Sequence, residues 1–189
     1  AIFDQAGVSY PTTDWTWDEF INACNTIKEK TGLYGSSTFN DFFIGCVISI
    51  PQYGTNETIY NSDVTDLGYK DDQFFANYLQ MKYDLTKAGS YPTPGELAEI
   101  KDIEGDFIVT GKAAMTWVHS NQLVALMNAA NRPLNMTVPP KRTKYGPSGL
   151  CIRSSQAMSI YNKSKYKEEG AKFISFFVND VEANLILAG

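Results

Sequence analysis

The chain has 189 residues, enough for one sizeable domain with a real core or two small ones. Its 43% apolar and 20% charged residues are ordinary for a globular protein and argue against disorder. A net charge of −5 without any long Lys/Arg run argues against a nucleic-acid or anionic-membrane surface, and no apolar stretch approaches the ~20 residues of a membrane-spanning helix.

The start, Ala1-Ile2-Phe3-Asp4, has neither Met nor a signal-peptide pattern, and the end, Ala188-Gly189, directly follows an apolar helical run. The expectation is a piece of a longer protein. The first clear element is a helix over 17–30. Thr16 is placed as its N-cap, Glu19 completes a capping box, and Trp15 and Phe20 are spaced as a hydrophobic staple. Trp17, Phe20, Ile21, Cys24 and Ile27 follow the helical period and predict one buried face. Lys28 and Lys30 suit the C-terminal end, where Gly32 stops the helix.

Residues 33–39 read as a short strand and turn. Asp41 is placed to cap an apolar segment running to Ile50, ended by Pro51 and Gly54. A loop or hairpin with Ile59, Tyr60 and Val64 follows. Asp71 and Asp72 then open a helix with Phe74, Tyr78, Met81 and Leu85 inward, closed by Gly89 and Pro92. The stretch 90–98 reads as a loop, 102–110 as a shorter helix, and 113–118 as a buried strand. Ser120 is expected to cap a helix with Leu123, Val124, Met127 and Ala130 as its apolar residues, stopped by Pro133. Strands are expected at 134–138 and at 149–161, the latter split by a turn near Ser154-Ser155. Ser164 is expected to cap a last long helix with Tyr166, Phe173, Ile174 and Phe177 inward, and Asp180 a short one after it. Alternating helices and strands give the α/β class.

Chemical motifs are sparse. Cys24, Cys46 and Cys151 are odd in number, share no C-x-x-C spacing and lie in apolar runs, so buried, inert thiols are expected. One histidine, His119, leaves little for a zinc site. The stretch Gly105 to Lys112 resembles a phosphate loop only superficially: its glycine spacing is wrong, and Ala113 stands where a hydroxyl would hold magnesium. No G-x-S-x-G elbow accompanies His119, which sits at a strand-to-helix junction, a place where polar residues commonly meet ligand. The acidic pairs Asp18-Glu19, Asp71-Asp72 and Glu168-Glu169 each fall in a predicted first helical turn, where the helix dipole explains them. No catalytic residue, cofactor or metal is expected, and the chain is expected not to be an enzyme.

Three segments carry a family resemblance. Tyr10-Pro11 followed by Thr16-Trp17-Asp18-Glu19-Phe20 is similar to the segment that opens the second lobe of family 1 bacterial extracellular solute-binding proteins. Gly111-Lys112-Ala113-Ala114-Met115 matches their GKAAM strand. Ile160-Tyr161-Asn162-Lys163-Ser164-Lys165, with Ala171-Lys172-Phe173-Ile174-Ser175-Phe176-Phe177, matches their ending, and Val181-Glu182-Ala183-Asn184 resembles the short helix after it.

The resemblance implies an α/β, periplasmic-binding-protein-like lobe (type II), a fragment of a two-lobe protein with ligand held between the lobes. Residues 1–189 would form one lobe, mainly the second, with the helices of 162–189 packing toward the first. It further implies the substrate-binding component of an ABC importer, monomeric, capturing a sugar or oligosaccharide and delivering it to permease subunits. Such a protein works at the extracellular face of the membrane or in the periplasm, lipid-anchored in its full-length form. By position, Asn40, Asp41 and Phe43 correspond to sugar contacts of maltose-binding relatives. The loop after Met115 corresponds to their aromatic platform and here offers Trp117, His119, Ser120 and Asn121. Trp117 sits nearer the strand than the usual stacking residue, and Asn121 holds the more typical position. The turn Gly146-Pro147-Ser148-Gly149 is a candidate for backbone approach to the cleft, or a plain turn. A secreted carbohydrate-active enzyme and a binder of another small solute are the alternatives.

Overall fold

A computed structural model describes residues 2–41, 43–54, 57–150 and 157–188. The chain divides into two compact units, Ala1–Cys151 and Ile152–Gly189. In the first unit a short helix, α1 (Ile2–Ala6), buries Phe3 and Ala6 against Ile27 of the next helix, α2 (Trp17–Thr31). The local chemistry of α2 is as the sequence predicts. The Thr16 hydroxyl accepts from the Glu19 amide, the Glu19 carboxylate accepts from the Thr16 amide, and Trp15 meets Phe20 edge-on at 5.7 Å. Gly32, at φ 74°, closes the helix on the Lys28 carbonyl. Phe20, Ala23, Cys24 and Ile27 form the buried face, and Trp17 and Ile21 are half-buried beside it.

Strand β1 (Tyr34–Ser37) lies directly on α2. A Cβ at Gly35 would fall 2.2 Å from the Cys24 Cα, so only glycine permits this approach. A π-helical turn, Phe43–Ile48, follows and runs into α3 (Ser49–Gln52). The cap here is Asn40 and not Asp41: the Asn40 side chain accepts from the Phe43 amide at 2.9 Å and its carbonyl from the Ile44 amide. The Asp41 carboxylate instead reaches α4 (Gln73–Lys87), accepting from the Tyr78 hydroxyl at 2.6 Å and from the Lys82 ammonium at 2.7 Å. Helix α4 buries Phe74, Tyr78 and Leu85, with Met81 half-buried, as its period predicts.

Two expectations between α4 and the next strand are corrected. The supposed loop 90–98 contains α5 (Pro94–Ala98), started by a second capping box between Thr93 and Glu96 with Pro at the first position. The supposed helix 102–110 is a series of turns. Asp102 and Asp106 accept from the amides of Gly105 and Ile108, local bonds that compete with a helical ladder.

Strand β2 (Ala113–Thr116) pairs parallel with β1, with Tyr34 opposite Ala113, Ser36 opposite Met115 and Ser37 opposite Thr116. Ser120 does not cap a helix directly. A 3-10 turn, Ser120–Gln122, intervenes, with the Gln122 side chain accepting from the His119 amide, and α6 (Leu123–Ala130) follows. Its buried residue is Leu126, while Val124 faces solvent, so the inner face is rotated from the expected one. The helix ends at Asn131 in the left-handed conformation (φ 48°), ahead of Pro133.

Residues 134–138 are irregular and not a strand; Pro133, Pro139 and Pro140 around them carry no amide hydrogen for a ladder. The chain is tied down there by other bonds. The Trp15 indole donates to the Val138 carbonyl, and Lys141 exchanges main-chain bonds with Trp15 and Trp17. Of the strand expected at 149–161, residues 149–150 and 157–161 are irregular; residues 151–156, including Cys151, lie outside the described residues. Cys24 is buried and Cys46 half-buried, and burial pushes both thiols above their ordinary range.

The second unit holds α7 (Lys167–Asn179) and α8 (Val181–Ala188). Asp180 caps α8, accepting from the Ala183 amide at 3.0 Å. Tyr166, not Ser164, occupies the cap of α7, and the Ser164 hydroxyl accepts from the Tyr166 amide. Tyr166 and Phe173, expected inward, are exposed; Ile174 and Phe177 are half-buried. No helix among the described residues is long and apolar enough to cross a membrane.

Candidate functional site

Because β1 and β2 run parallel and in register, their carboxyl ends stop side by side, at Ser37 and Thr116. The loops leaving a parallel pair at that edge are where α/β proteins place ligands. Here they supply Thr38-Phe39-Asn40 and Trp117-Val118, and with Ile103, Asp106, Gln122 and Leu126 these residues border an open cleft of about 540 Å³.

Thr38 adopts φ 56°, a left-handed conformation in which a β-branched side chain is strained by about 1–3 kcal/mol. The turn swings Phe39 and Asn40 into the cleft wall. Phe39 stacks on Tyr91 at 4.4 Å, and the Tyr91 hydroxyl accepts from the Phe39 amide at 2.8 Å. Burial raises the Tyr91 phenol, and burial followed by the bond to Asp41 raises that of Tyr78, so both remain neutral at physiological pH.

Trp117 donates its indole N–H to the Ser36 hydroxyl at 3.1 Å. One face stacks on Trp17 at 5.6 Å, and Phe20 and Phe39 meet it edge-on. Trp17 is held in turn, since its indole donates to Gln52, whose buried amide donates to the carbonyls of Pro140 and Ser148 at 2.8 Å each. The aromatic wall is thus fixed before any ligand arrives.

Of the residues singled out in sequence, Asn40 and Trp117 border the cleft. Phe43 is half-buried and meets the exposed His119 ring edge-on at 5.2 Å. Ser120 and Asn121 are exposed on the 3-10 turn after the cleft loop. Asp41 faces α4, as described above. Gly149, at φ 70°, brings its backbone onto the Ile48 carbonyl: a Cβ there would lie 2.1 Å from it.

Sequence reasoning missed Asp106, Thr38 and Gln122. Asp106 is only 6% exposed, yet borders the cleft. Its Oδ1 accepts from the Ile108 amide at 2.9 Å, and its Oδ2 accepts from the Thr38 and Thr116 hydroxyls at 3.3 and 3.5 Å. Gly111-Lys112-Ala113-Ala114-Met115 marked the neighbouring strand but carried no signal for a residue in the turns before it. Asp106 is the one carboxylate among the described residues bordering the cleft, whereas glycosidic cleavage uses two flanking one bond. Among the described residues, no three His, Cys, Asp or Glu side chains cluster to hold a metal ion.

A family model described as bacterial extracellular solute-binding protein matches residues 1–183. Among solved structures, a family 1 extracellular solute-binding protein from Alicyclobacillus acidocaldarius subsp. acidocaldarius DSM 446 is 28% identical, with a TM-score of 0.74 over 96% of this chain and 45% of that one. An ABC substrate-binding protein from Listeria monocytogenes, in complex with cycloalternan, is 24% identical with a TM-score of 0.69 over 96% and 45%. A cyclic alpha-maltosyl-1,6-maltose binding protein from Arthrobacter globiformis is 19% identical with a TM-score of 0.61 over 93% and 44%. The chain therefore spans less than half the length of each of these structures.

Proposed function

This chain belongs to the bacterial extracellular solute-binding proteins, and we propose on that premise that it supplies the second-lobe wall of a sugar-binding cleft in the substrate-capturing component of an ABC importer. Its fold is the α/β, periplasmic-binding-protein-like one. The observation that carries the sugar reading is the composition of the cleft at the carboxyl edge of β1 and β2. Preset aromatic surface, Trp117 and Phe39, lies beside the polar side chains of Asn40, Asp106 and Gln122. Aromatic carbon covers the C–H side of a pyranose ring, while carboxylate and amide groups meet its hydroxyls. The ligands named for the Listeria and Arthrobacter proteins, cycloalternan and cyclic alpha-maltosyl-1,6-maltose, agree with that chemistry.

In this reading Asn40 and Trp117 touch the sugar directly. Phe43, His119, Ser120 and Asn121 form the rim toward a second lobe, and Asp41 sets the position of Asn40 through its bonds to α4. The other lobe closes over the ligand, and affinity comes from the difference between closed and open states. The helices of 162–189 pack toward that lobe, and their exposed Phe173, Phe176, Leu185 and Ile186 are the surface it covers. The full-length protein is a monomer, lipid-anchored outside the membrane, that hands its sugar to permease subunits.

A thermal-shift screen of the full-length protein and of this chain, against mono- and oligosaccharides, tests the reading. Stabilisation of the full-length protein by a sugar that is recovered intact supports it. No shift with any sugar directs the search to amino acids, polyamines and peptides, and a cleaved sugar overturns the transport role.

A further inference from the structure

The cleft at the ends of β1 and β2 has a charge character that neither its fold nor its aromatic wall requires. The geometry points to Asp106 as the residue that selects neutral or amino-bearing saccharides and rejects acidic ones, an inference that rests on the sugar-binding reading above. The two oxygens of this carboxylate have different occupations. Oδ1 is engaged in a local turn, accepting from the Ile108 amide at 2.9 Å. Oδ2 faces the Thr38 and Thr116 hydroxyls at 3.3 and 3.5 Å, longer than a well-formed O–H···O bond, so most of its acceptor capacity is unspent.

A carboxylate left in this state commonly has a structural cation beside it. No lysine, arginine or histidine is among the described residues bordering the cleft, and the Arg132 guanidinium nearby in the fold donates to the Ile108 and Val109 carbonyls. Asp106 is also 6% exposed, so water screens it poorly. An ionised carboxylate only accepts hydrogen bonds, and the complement to Oδ2 is therefore a donor, a sugar hydroxyl or an ammonium group. A uronate, sulfate or phosphate on the ligand would bring a second negative charge beside a buried one. Thr38 adds a second observation. Its strained left-handed backbone is held where its hydroxyl meets Asp106, and strain of this kind concentrates at ligand clamps.

The test uses the full-length protein and calorimetric titration with maltotetraose, with the same sugar carrying one glucuronate, and with the same sugar carrying one glucosamine. The unmodified protein is expected to bind the neutral and amino sugars at least about tenfold more tightly than the glucuronate form. Asp106→Asn retains an Oδ1 acceptor for the Ile108 amide, so the turn survives. It is expected to weaken maltotetraose about tenfold and to bring the acidic form to within about threefold of the neutral one. The comparison among sugars on the unmodified protein stands even where the variant folds poorly. Equal binding of neutral and acidic sugars overturns the inference alone, as does an Asp106→Asn protein with unchanged affinity and selectivity. Failure of the unmodified protein to bind any of these or other saccharides overturns the sugar reading, and this inference with it.

Discussion

Glu96 shows how one residue ties a local element to the strand beside it. It lies in the first turn of α5, where it accepts from the Thr93 amide and hydroxyl, and it also accepts from the Tyr34 hydroxyl of β1 at 2.6 Å. The Tyr34 bond first, then the Thr93 bonds, hold its carboxyl down from the usual 4.5 to about 2, and the same bond pushes the Tyr34 phenol up to about 12. A carboxyl depressed on folding contributes stability that is fully present above its unfolded pKa and is lost as pH falls toward its folded one. The unmodified protein should therefore lose urea resistance between about pH 4.5 and about pH 2, and Glu96→Gln should flatten that part of the profile. Identical slopes for the two proteins would rule out the Tyr34–Glu96 bond as a stabilising contact. At this scale the sequence was only partly legible. It marked Asn40 and Trp117, which border the cleft, but it assigned the cap to Asp41 because carboxylate and amide are equally good caps. Only the presence of Lys82 and Tyr78 on a helix more than thirty residues away decided between them.

At the scale of elements, the best-read feature is the start of α2, and its energetics are local. Thr16→Ala removes the hydroxyl half of the capping box and is expected to destabilise the first unit by about 1 kcal/mol, with Thr16→Ser close to neutral, as measured by urea unfolding. An alanine variant as stable as the parent would mean that the tryptophan contacts flanking Thr16 hold the helix start without the cap. The same logic explains the miss at α5. Thr93, Pro94 and Glu96 are a complete start signal, but Pro94, together with Pro92 and Gly95, reads equally as a loop marker. The opposite error is the helix expected over 102–110. There Asp102 and Asp106 offered the backbone closer partners than a helical ladder did.

For the molecule as a whole, the second unit is where the sequence and the folded chain diverge most. Its helices carry the spacing of an inward face, yet Phe173, Phe176, Leu185 and Ile186 are all more than half exposed. On the proposal that the other lobe covers this surface, Phe176→Asp should destabilise the full-length protein by about 2–3 kcal/mol, the range for burying one large apolar side chain. In the 189-residue chain alone the same change should stay within about 0.5 kcal/mol, as at an ordinary surface position. Equal effects in both, by denaturant unfolding, would place the partner surface elsewhere.

The sequence by itself determined the class, the family and the capped starts of α2 and α8. Each of those signals resides in residues a few positions apart, where caps, periods and short motifs act through the backbone's own geometry. The cleft was decided by tertiary structure. Asp106 meets Thr38 across 68 positions and Trp117 meets Ser36 across 81. Asp106 is buried at the edge of the cleft only because segments far apart in the chain converge there, which is a property of the assembled fold and of no single stretch of chain.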